Sequence, residues 1–133
     1  LETLGPLFRH LFFSRFFDGF WDSGGAGDGQ WWRAKASDTF SPAGPFMVTG
    51  LDPSDLKLKA RINGQEVQAE STRMFLFDLP TVISHITKTM TLEPGDMIYT
   101  GTPGHPGQLH AGDVVEVEVE GVGVLRNPVK SES

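Results

Sequence analysis

Two short segments of the chain carry residue types that could bind a small anionic molecule. In the first, two tryptophans precede Lys35, and the oxygens of Ser37, Asp38 and Thr39 follow within one turn. A lysine that neighbouring tryptophans partly desolvate can stabilise a carboxylate or enolate oxygen as a point charge. Hydroxyl and carboxylate oxygens close together suit a hard cation. A solvated lysine before an ordinary Asx or Ser/Thr turn explains the same residues, and composition alone favours that simpler interpretation.

The second segment is the threonine- and glycine-rich stretch Tyr99-Thr100-Gly101-Thr102-Pro103-Gly104, which lies at the end of a predicted strand. Glycines between threonines leave backbone amides accessible, which is a common way to bind an anion. A simple loop that leaves a strand is the alternative, and it is the better interpretation if the segment is taken by itself. Neither segment identifies a function by composition.

The composition of the 133-residue chain excludes several classes of protein. A net charge of -6, without a cluster of lysines or arginines, argues against nucleic-acid binding, because phosphate binding depends on such clusters. The absence of cysteine excludes disulfide frameworks, thiolate metal ligands and cysteine nucleophiles, and it fits a reducing, cytoplasmic location. No run of about 20 apolar residues predicts a membrane span. Sixteen glycines and nine prolines favour a turn-rich, mainly β fold.

The chain changes character near residue 30. Residues 1–29 hold six of the ten phenylalanines, and they end in a glycine-rich run over residues 23–29 that we interpret as a loop or linker. Apolar residues at helical spacing before this run predict an amphipathic helix that packs on its own domain or on a partner. Residues 30–129 form the predicted globular domain, and residues 130–133 form a tail.

The patterns after residue 45 predict a mostly antiparallel β domain. Alternating apolar and charged residues predict a strand over residues 56–62, and Asn63-Gly64 is a strong signal for a hairpin into a return strand over residues 65–69. Further strands are predicted over residues 45–49, 97–100 and 115–119. Gly121 and Gly123 permit a bend or bulge after the last of these.

One central helix is predicted within this β domain. Asp78 can cap a helix that opens near Pro80, since an aspartate oxygen can accept from the first free backbone N–H groups and proline suits the first turn. The predicted inner stripe of this helix is formed by Val82, Ile83, Ile86 and Met90.

The order of several short motifs resembles that of the fumarylacetoacetate hydrolase family. The match begins with Ala34-Lys35-x-x-Asp38-Thr39-Phe40 and Pro42-x-Gly44-Pro45. It continues through Asn63-Gly64, Gln68-x-x-x-Thr72-x-Met74-Phe75, Leu92-Glu93-Pro94-Gly95-Asp96, Thr100-Gly101-Thr102-Pro103, Gly112-Asp113 and Glu120-Gly121-x-Gly123-x-Leu125-x-Asn127-Pro128. Each motif alone could arise by chance, whereas the ordered set is specific. Residues 30–129 are therefore similar to the C-terminal part of the family's catalytic domain.

The resemblance implies a fold, a type of reaction and a set of partners. It implies a homodimer built on a mixed β-roll, so we expect a mainly β (α+β) fold of that type with one central helix. Family members act as hydrolases, lyases or isomerases on small 2-oxo acids or 1,3-diketones, of the fumarylacetoacetate or acylpyruvate type, including steps of aromatic catabolism. They bind a divalent metal, Mg2+, Mn2+ or Ca2+, through acidic residues.

By position, the resemblance assigns roles to four residues. Lys35 corresponds to the family's active-site lysine, which helps the metal to stabilise the enolate that forms when a bond beside the carbonyl breaks. Thr39 corresponds to a site residue four places later. Thr100 corresponds to a threonine that contacts substrate, with Gly101 beside it.

The family's metal ligands are the part of the pattern that this sequence lacks. No Glu-x-Glu pair precedes Lys35. Asp18 lies at about the right distance for the third carboxylate ligand, although its neighbours do not fit the family motif, and a single carboxylate holds Mg2+ weakly. We therefore expect an incomplete chain. Two interpretations stay open: a metal-dependent enzyme, or a non-catalytic remnant or β domain that pairs with an intact homologue.

Overall fold

The computed structural model describes residue 39, residues 42–103 and residues 109–131, so the predicted N-terminal segment lies outside it. The elements are β1 (Lys57–Ile62), β2 (Gln65–Ser71), a 3-10 turn (Thr72–Met74), α1 (Leu79–Ile86), β3 (Val114–Val119) and β4 (Gly123–Pro128). The four strands form one sheet in the order β2-β1-β3-β4, and every neighbouring pair is antiparallel. A mainly β fold with one helix is therefore confirmed. Within these residues, no helix is long and apolar enough to cross a membrane.

The two central strands alternate between apolar and charged residues, as predicted. In β1, Leu58 and Ala60 are 5% and 2% exposed, and they lie directly opposite Val119 and Val117 of β3. Directly opposite residues of antiparallel strands point to the same face. One face of the sheet is therefore apolar, and the other carries the charged residues of the same strands.

The apolar face carries the core in two clusters. The first core cluster consists of Leu56, Leu58 and Val119, and the residues packed against it are Leu51, Phe75, Leu79 and Val122. The second consists of Ala60, Leu109 and Val115, with Ile62, Val117 and Val129 around it. The first core cluster joins the sheet to the segment before β1, to the chain after β2 and to the start of α1. It is therefore the base on which the candidate site is built.

The opposite face of the sheet is a ladder of charged side chains. Arg126 and Glu116 are direct cross-strand partners, and their charged groups lie 3.2 Å apart. The charged groups of Lys59 and Glu66 lie 3.4 Å apart. Exposed ion pairs of this kind contribute little to stability. We interpret this face as a solvated surface.

The hairpin between β1 and β2 turns at Asn63 and Gly64, as predicted, with φ of 52° and 80°. Positive φ at both positions is what a type I′ turn requires. The side-chain amide of Asn63 also donates to Asp113 at 2.8 Å, and its oxygen accepts from the backbone N–H of Val114 at 2.9 Å. Asn63 therefore ties the first hairpin to the start of β3, which gives the Asn-Gly and Gly-Asp motifs a shared structural role.

Two glycines shape the hairpin between β3 and β4. Gly121 lies in the turn with φ of 75°, and a Cβ there would lie 2.9 Å from the Leu51 side chain. At Gly123, with φ of 126°, a Cβ would lie 3.3 Å from the ring of Phe46. The predicted bend is thus a tight turn, and glycine is favoured there because both residues have positive φ. The side chains of Phe46 and Leu51 pack directly against this turn.

Two predicted strands are wrong. Residues 45–49 and residues 97–100 are irregular, and none of the four strands of the sheet pairs with either segment. A β-prone run becomes a strand only when a neighbour completes its backbone hydrogen bonds. The sheet is also open and has no parallel pair among the described residues, so the closed, mixed roll stays a prediction.

The predicted helix is shorter than its apolar pattern suggests. It ends at Ile86, and Met90, expected on the inner stripe, is 64% exposed. The Thr87 hydroxyl donates to the backbone carbonyl of Ile83 at 3.0 Å. The backbone N–H of Thr87 donates to the same carbonyl at 3.0 Å, so the hydroxyl adds to the last helical hydrogen bond and does not replace it. Residues 87–90 then form turns and a bend, and not a further turn of helix.

Candidate functional site

A groove of about 420 Å³ opens on the apolar face of the sheet, over the first core cluster. It is lined by Leu58 and Ser71 of the sheet, by residues 74–77, by Leu79 and Val82 of α1 and by residues 99–103. The groove therefore lies where residues 74–77, α1 and residues 99–103 meet on the sheet. A cavity of this size accommodates a small organic acid.

One side of the groove is an apolar wall formed by residues 74–77. Met74 is 65% exposed, Leu76 is 93% exposed and Phe77 is 66% exposed. Contiguous exposed apolar side chains mark surfaces that bind a ligand or another protein segment. The apolar wall thus indicates that this side of the sheet is a binding surface.

Thr100 provides a polar point in the groove. Its hydroxyl oxygen is shielded from solvent and has no hydrogen-bond partner, the one such side-chain atom among the residues that the structure describes. A buried hydroxyl without a partner costs about 1–3 kcal/mol. Native proteins rarely keep such a group unless a ligand, an ion or a water molecule completes it. Because Thr100 lines the groove, its hydroxyl can bind an oxygen of a molecule that enters there.

Gly101 leaves the backbone beside this hydroxyl open. Its φ of 96° lies in the left-handed region that favours glycine, and no atom lies within 4 Å of the place where a Cβ would be. A ligand can therefore approach the main chain closely at this point. Thr100 and Gly101 together offer a hydroxyl and an accessible backbone.

Thr72 fixes the chain that leads into the apolar wall. Its side chain is buried, and its hydroxyl accepts from the backbone N–H of Leu56 at 2.8 Å. Its own backbone N–H donates to the carbonyl of Leu56 at 3.0 Å. These two bonds fasten the end of β2 to the residue before β1, so residues 74–77 start from a defined place.

Asp78 caps α1, as predicted, and sets the helix against the groove. Its side chain accepts from the backbone N–H of Thr81 at 2.8 Å. The hydroxyl and the backbone N–H of Thr81 hold the pKa of Asp78 below its usual 3.8, so the cap is charged at neutral pH. Leu79, the first residue of the helix, packs on the first core cluster. The cap and this contact together place Val82 at the groove.

Thr100 and Gly101, two of the predicted substrate-binding residues, line the groove, and their substrate-binding role stays a prediction. Thr39 is exposed and has φ of 70°, which is rare for a β-branched residue. Lys35 and the predicted metal ligand Asp18 lie outside the described residues. Their roles stay predictions.

The segment that follows the lysine motif (residues 34–45) packs on the first core cluster, over which the groove opens. Leu51 packs on the first core cluster together with Phe75 and Leu79, which line the groove. Phe46 lies against the hairpin at Gly123. The chain that leaves the lysine motif is therefore anchored on the same side of the sheet as Thr100.

The side chain of Gln68, in the edge strand β2, contacts residues 102 and 103 of the segment that lines the groove. Its Nε2 donates to the hydroxyl of Thr102 at 3.4 Å and to the backbone carbonyl of Pro103. The sequence places Gln68 in a family motif but gives it no role. The available signal was a glutamine in a strand whose partner strand alternates between apolar and charged residues, and that signal does not reveal which way the side chain points.

Residues 20–130 match the model of the fumarylacetoacetate (FAA) hydrolase C-terminal family. The chain belongs to this family. A family relative from Methanocaldococcus jannaschii is 50% identical over 105 residues, which are 79% of this chain and 44% of that protein.

Two solved structures of relatives resemble this fumarylacetoacetate hydrolase family domain. The 5-carboxymethyl-2-hydroxymuconate delta-isomerase from Mycobacterium smegmatis has a TM-score of 0.77 and 48% identity, covering 80% of this chain and 42% of its own. The maleylpyruvate hydrolase from Sphingobium sp. SYK-6, in complex with manganese(II) and pyruvate, has a TM-score of 0.72 and 36% identity, covering 77% of this chain and 40% of its own. The chain thus spans less than half the length of each relative.

The described residues of this family domain do not form a metal site. Among them, no group of three or more His, Asp or Glu side chains is placed to hold an ion. A cation such as Mg2+ or Ca2+ needs several oxygen ligands. The predicted divalent metal therefore finds no fit in residues 42–103 or 109–131.

Proposed function

We propose that this fumarylacetoacetate hydrolase family domain belongs to an enzyme that acts on a small 2-oxo acid or 1,3-diketone as a hydrolase, lyase or isomerase. The observation that carries the proposal is the buried, unpartnered hydroxyl of Thr100 in a groove with an apolar wall. One polar point beside apolar surface suits a small molecule with a carboxylate or oxo oxygen at one end. The solved relatives support this choice, since one is an isomerase and the other is a hydrolase in complex with pyruvate, a 2-oxo acid.

Each residue of the proposed site has a distinct role. The Thr100 hydroxyl donates to a carboxylate or oxo oxygen of the substrate, and the open backbone at Gly101 lets that oxygen approach closely. Lys35 supplies the positive charge that stabilises the enolate oxygen formed when a bond beside the carbonyl breaks. Because a charge acts more strongly where water is excluded, a lysine that follows two tryptophans suits this role.

The backbone of Thr39 supports a role for that residue at the site. For a β-branched residue, φ of 70° is unfavourable by roughly 1–2 kcal/mol. Backbone strain of this size concentrates at ligand sites, where the rest of the structure holds it in place. The side chain is also exposed. We assign Thr39 as a second hydroxyl contact to the substrate.

A divalent metal is part of the proposal, with Mg2+, Mn2+ and Ca2+ as the candidates. Its support is the manganese(II) and pyruvate complex of the maleylpyruvate hydrolase. Since the described residues hold no metal cluster, its ligands in this chain would lie outside them. Asp18 is the candidate ligand.

The setting of the proposed site is a homodimer in the cytoplasm, with the site carried by residues 30–129. The exposed side chains of Leu76 and Phe77 support an assembly, because apolar surface of this kind is usually covered. A non-catalytic domain that pairs with a homologue would use the same surface. Activity and metal binding therefore decide between the two interpretations.

The decisive experiment measures binding and turnover by the full chain. The protein is titrated with MnCl2 and then with pyruvate by calorimetry, and it is assayed for oxaloacetate decarboxylation and acylpyruvate hydrolysis. We expect Lys35→Ala to lower turnover at least about a hundred-fold, because the enolate loses its fixed charge. The control Lys88→Ala, at an exposed lysine after α1, should leave turnover unchanged. Asp18→Ala should abolish Mn2+ binding.

Two results would contradict this proposal. Turnover that survives Lys35→Ala would show that the role assigned to the lysine is wrong. An absence of heat with both Mn2+ and pyruvate, together with no turnover, would favour the non-catalytic domain.

A further inference from the structure

Gln68 lies on the apolar side of the sheet because β2 contains a bulge. Ala60 pairs with Gln68, but the next residue, Arg61, pairs with Glu66, so Val67 has no partner in β1. Directly opposite residues share a face of the sheet. Gln68 therefore lies on the apolar side with Ala60, and Glu66 lies on the charged side with Arg61. In a regular strand, residues 66 and 68 would point the same way, and bulges next to functional sites often redirect a side chain in this manner.

The side-chain contacts agree with this assignment of faces. Glu66 lies 3.4 Å from Lys59 on the charged side. Gln68 donates through Nε2 to the Thr102 hydroxyl at 3.4 Å and to the Pro103 carbonyl, while its Oε1 lies 3.5 Å from the same hydroxyl. The contacts of Gln68 are partly buried, so water competes with them less than on an open surface.

These contacts matter because, within the part of the chain that the structure describes, no strand holds the segment of residues 99–103. None of the four strands pairs with it, and Pro103 has no backbone N–H with which to join a ladder. The side-chain amide of Gln68 instead supplies a donor to the Pro103 carbonyl. Thr100 and Gly101 precede this anchor by two or three residues, so their place in the groove depends on it.

We propose that Gln68 is a positioning residue, whose amide holds residues 100–103 so that the Thr100 hydroxyl and the Gly101 backbone meet the substrate oxygen. The ligand part of this proposal rests on the function proposed above, but the position of the segment can be measured without a ligand. An amide suits the role because it presents an N–H to the Pro103 carbonyl. A carboxylate in place of the amide would put an acceptor oxygen against the carbonyl oxygen of Pro103, which is also an acceptor. It offers a donor only when it is protonated.

The test compares Gln68→Glu and Gln68→Met with Gln65→Glu, which makes the same chemical change at an exposed position of the same strand. The backbone amide chemical shifts of Gly101 and Thr102 and the affinity for pyruvate are measured from about pH 7 down to about pH 4.5, a range that spans protonation of a carboxyl with a raised pKa. At the higher pH, both Gln68 variants should displace these shifts and weaken pyruvate binding about five- to ten-fold, the effect of one lost hydrogen bond.

In acid, the two Gln68 variants should diverge. Gln68→Glu should return toward the wild-type shifts and affinity as its carboxyl gains a proton. Its midpoint should lie above the usual glutamate pKa of about 4.3, because Glu70 lies two residues away on the same face of the sheet. Gln68→Met has no titrating group and should not return. The control Gln65→Glu should match the wild type throughout.

The two proposals fail in distinguishable ways. The positioning role is overturned if Gln68→Glu changes the Gly101 and Thr102 chemical shifts no more than Gln65→Glu does. It is also overturned if the shifts of Gln68→Glu do not return toward the wild-type values in acid. If the shifts behave as expected but the wild type does not bind pyruvate, the positioning role stands and the proposed function fails. Recovery of the Gly101 and Thr102 shifts in acid supports the role even where Gln68→Met does not fold, because it links the position of residues 100–103 to a hydrogen-bond donor at residue 68.

Discussion

Replacing Thr100 by valine separates the effect of its hydroxyl on the free protein from its effect on a ligand. Valine has nearly the shape of threonine but carries a methyl group in place of the hydroxyl. In the free protein this hydroxyl is buried and unpaired, and such a group costs about 1–3 kcal/mol. A methyl group needs no partner. We therefore expect Thr100→Val to raise the free energy of unfolding by about 1 kcal/mol, the low end of that range, because the residue as a whole is only half-buried.

Urea denaturation and calorimetry measure the two effects separately. A gain of about 1 kcal/mol corresponds to a rise in Tm of about 3–6 °C for a domain of this size. The affinity for pyruvate should change in the opposite direction and fall about ten-fold, because a hydrogen bond to a carboxylate contributes about 1.5 kcal/mol or more. Thr91→Val makes the same chemical change at an exposed position and should alter neither quantity appreciably.

A loss of about 1 kcal/mol or more of stability in Thr100→Val would refute this reasoning, since it would mean that the hydroxyl already has a partner in the free protein. Higher stability with unchanged affinity would remove Thr100 from the ligand site. The combination of higher stability and weaker binding is the signature of a polar group that serves a ligand at the expense of the fold.

Two further predictions concern the residues that hold the fold. Thr72→Val removes the acceptor of the buried Leu56 N–H and should lower the free energy of unfolding in urea by about 1–3 kcal/mol; unchanged stability would show that this bond is not needed. Asp113 has a pKa below its usual 3.8, first because the His110 backbone N–H donates to it and next because Asn63 does. Its stabilisation is therefore present above the usual pKa and is lost as pH falls through the lower folded pKa, so Asp113→Asn should flatten the curve of unfolding free energy against pH in that acid range. An equally steep acid fall in the variant would contradict this role for Asp113.

The parts of the fold that could be predicted are those set by residues close together in the sequence. The alternation in β1 and the Asn63-Gly64 turn specify a hairpin locally, and the structure confirms both. Residues 97–100 have a similar β-prone composition, but they are irregular. Whether such a run forms a strand depends on a neighbour elsewhere in the chain, which a local pattern does not specify.

The sequence places Gln68 in a family motif, but it does not predict the role that we infer for this residue. Strict alternation along β2 places Gln68 on the same face as Glu66. Only the register with β1 reveals the extra residue Val67, which places Gln68 on the apolar side of the sheet. The length of α1 is also not predicted, because the apolar pattern continues to Met90 while the helix ends at Ile86.

The polar residues of the family motifs divide into two groups once their partners are known. Asn63 and Asp113 bond to each other, and Thr72 binds the backbone of Leu56, so the needs of the fold account for all three. The hydroxyl of Thr100 is buried without a partner, and no contact within the described residues accounts for it. In a sequence that specifies its fold well, buried polar groups without a partner remain mainly where function requires them. Thr100, rather than Thr72 from an equally specific motif, is therefore the residue at which a ligand site should be sought.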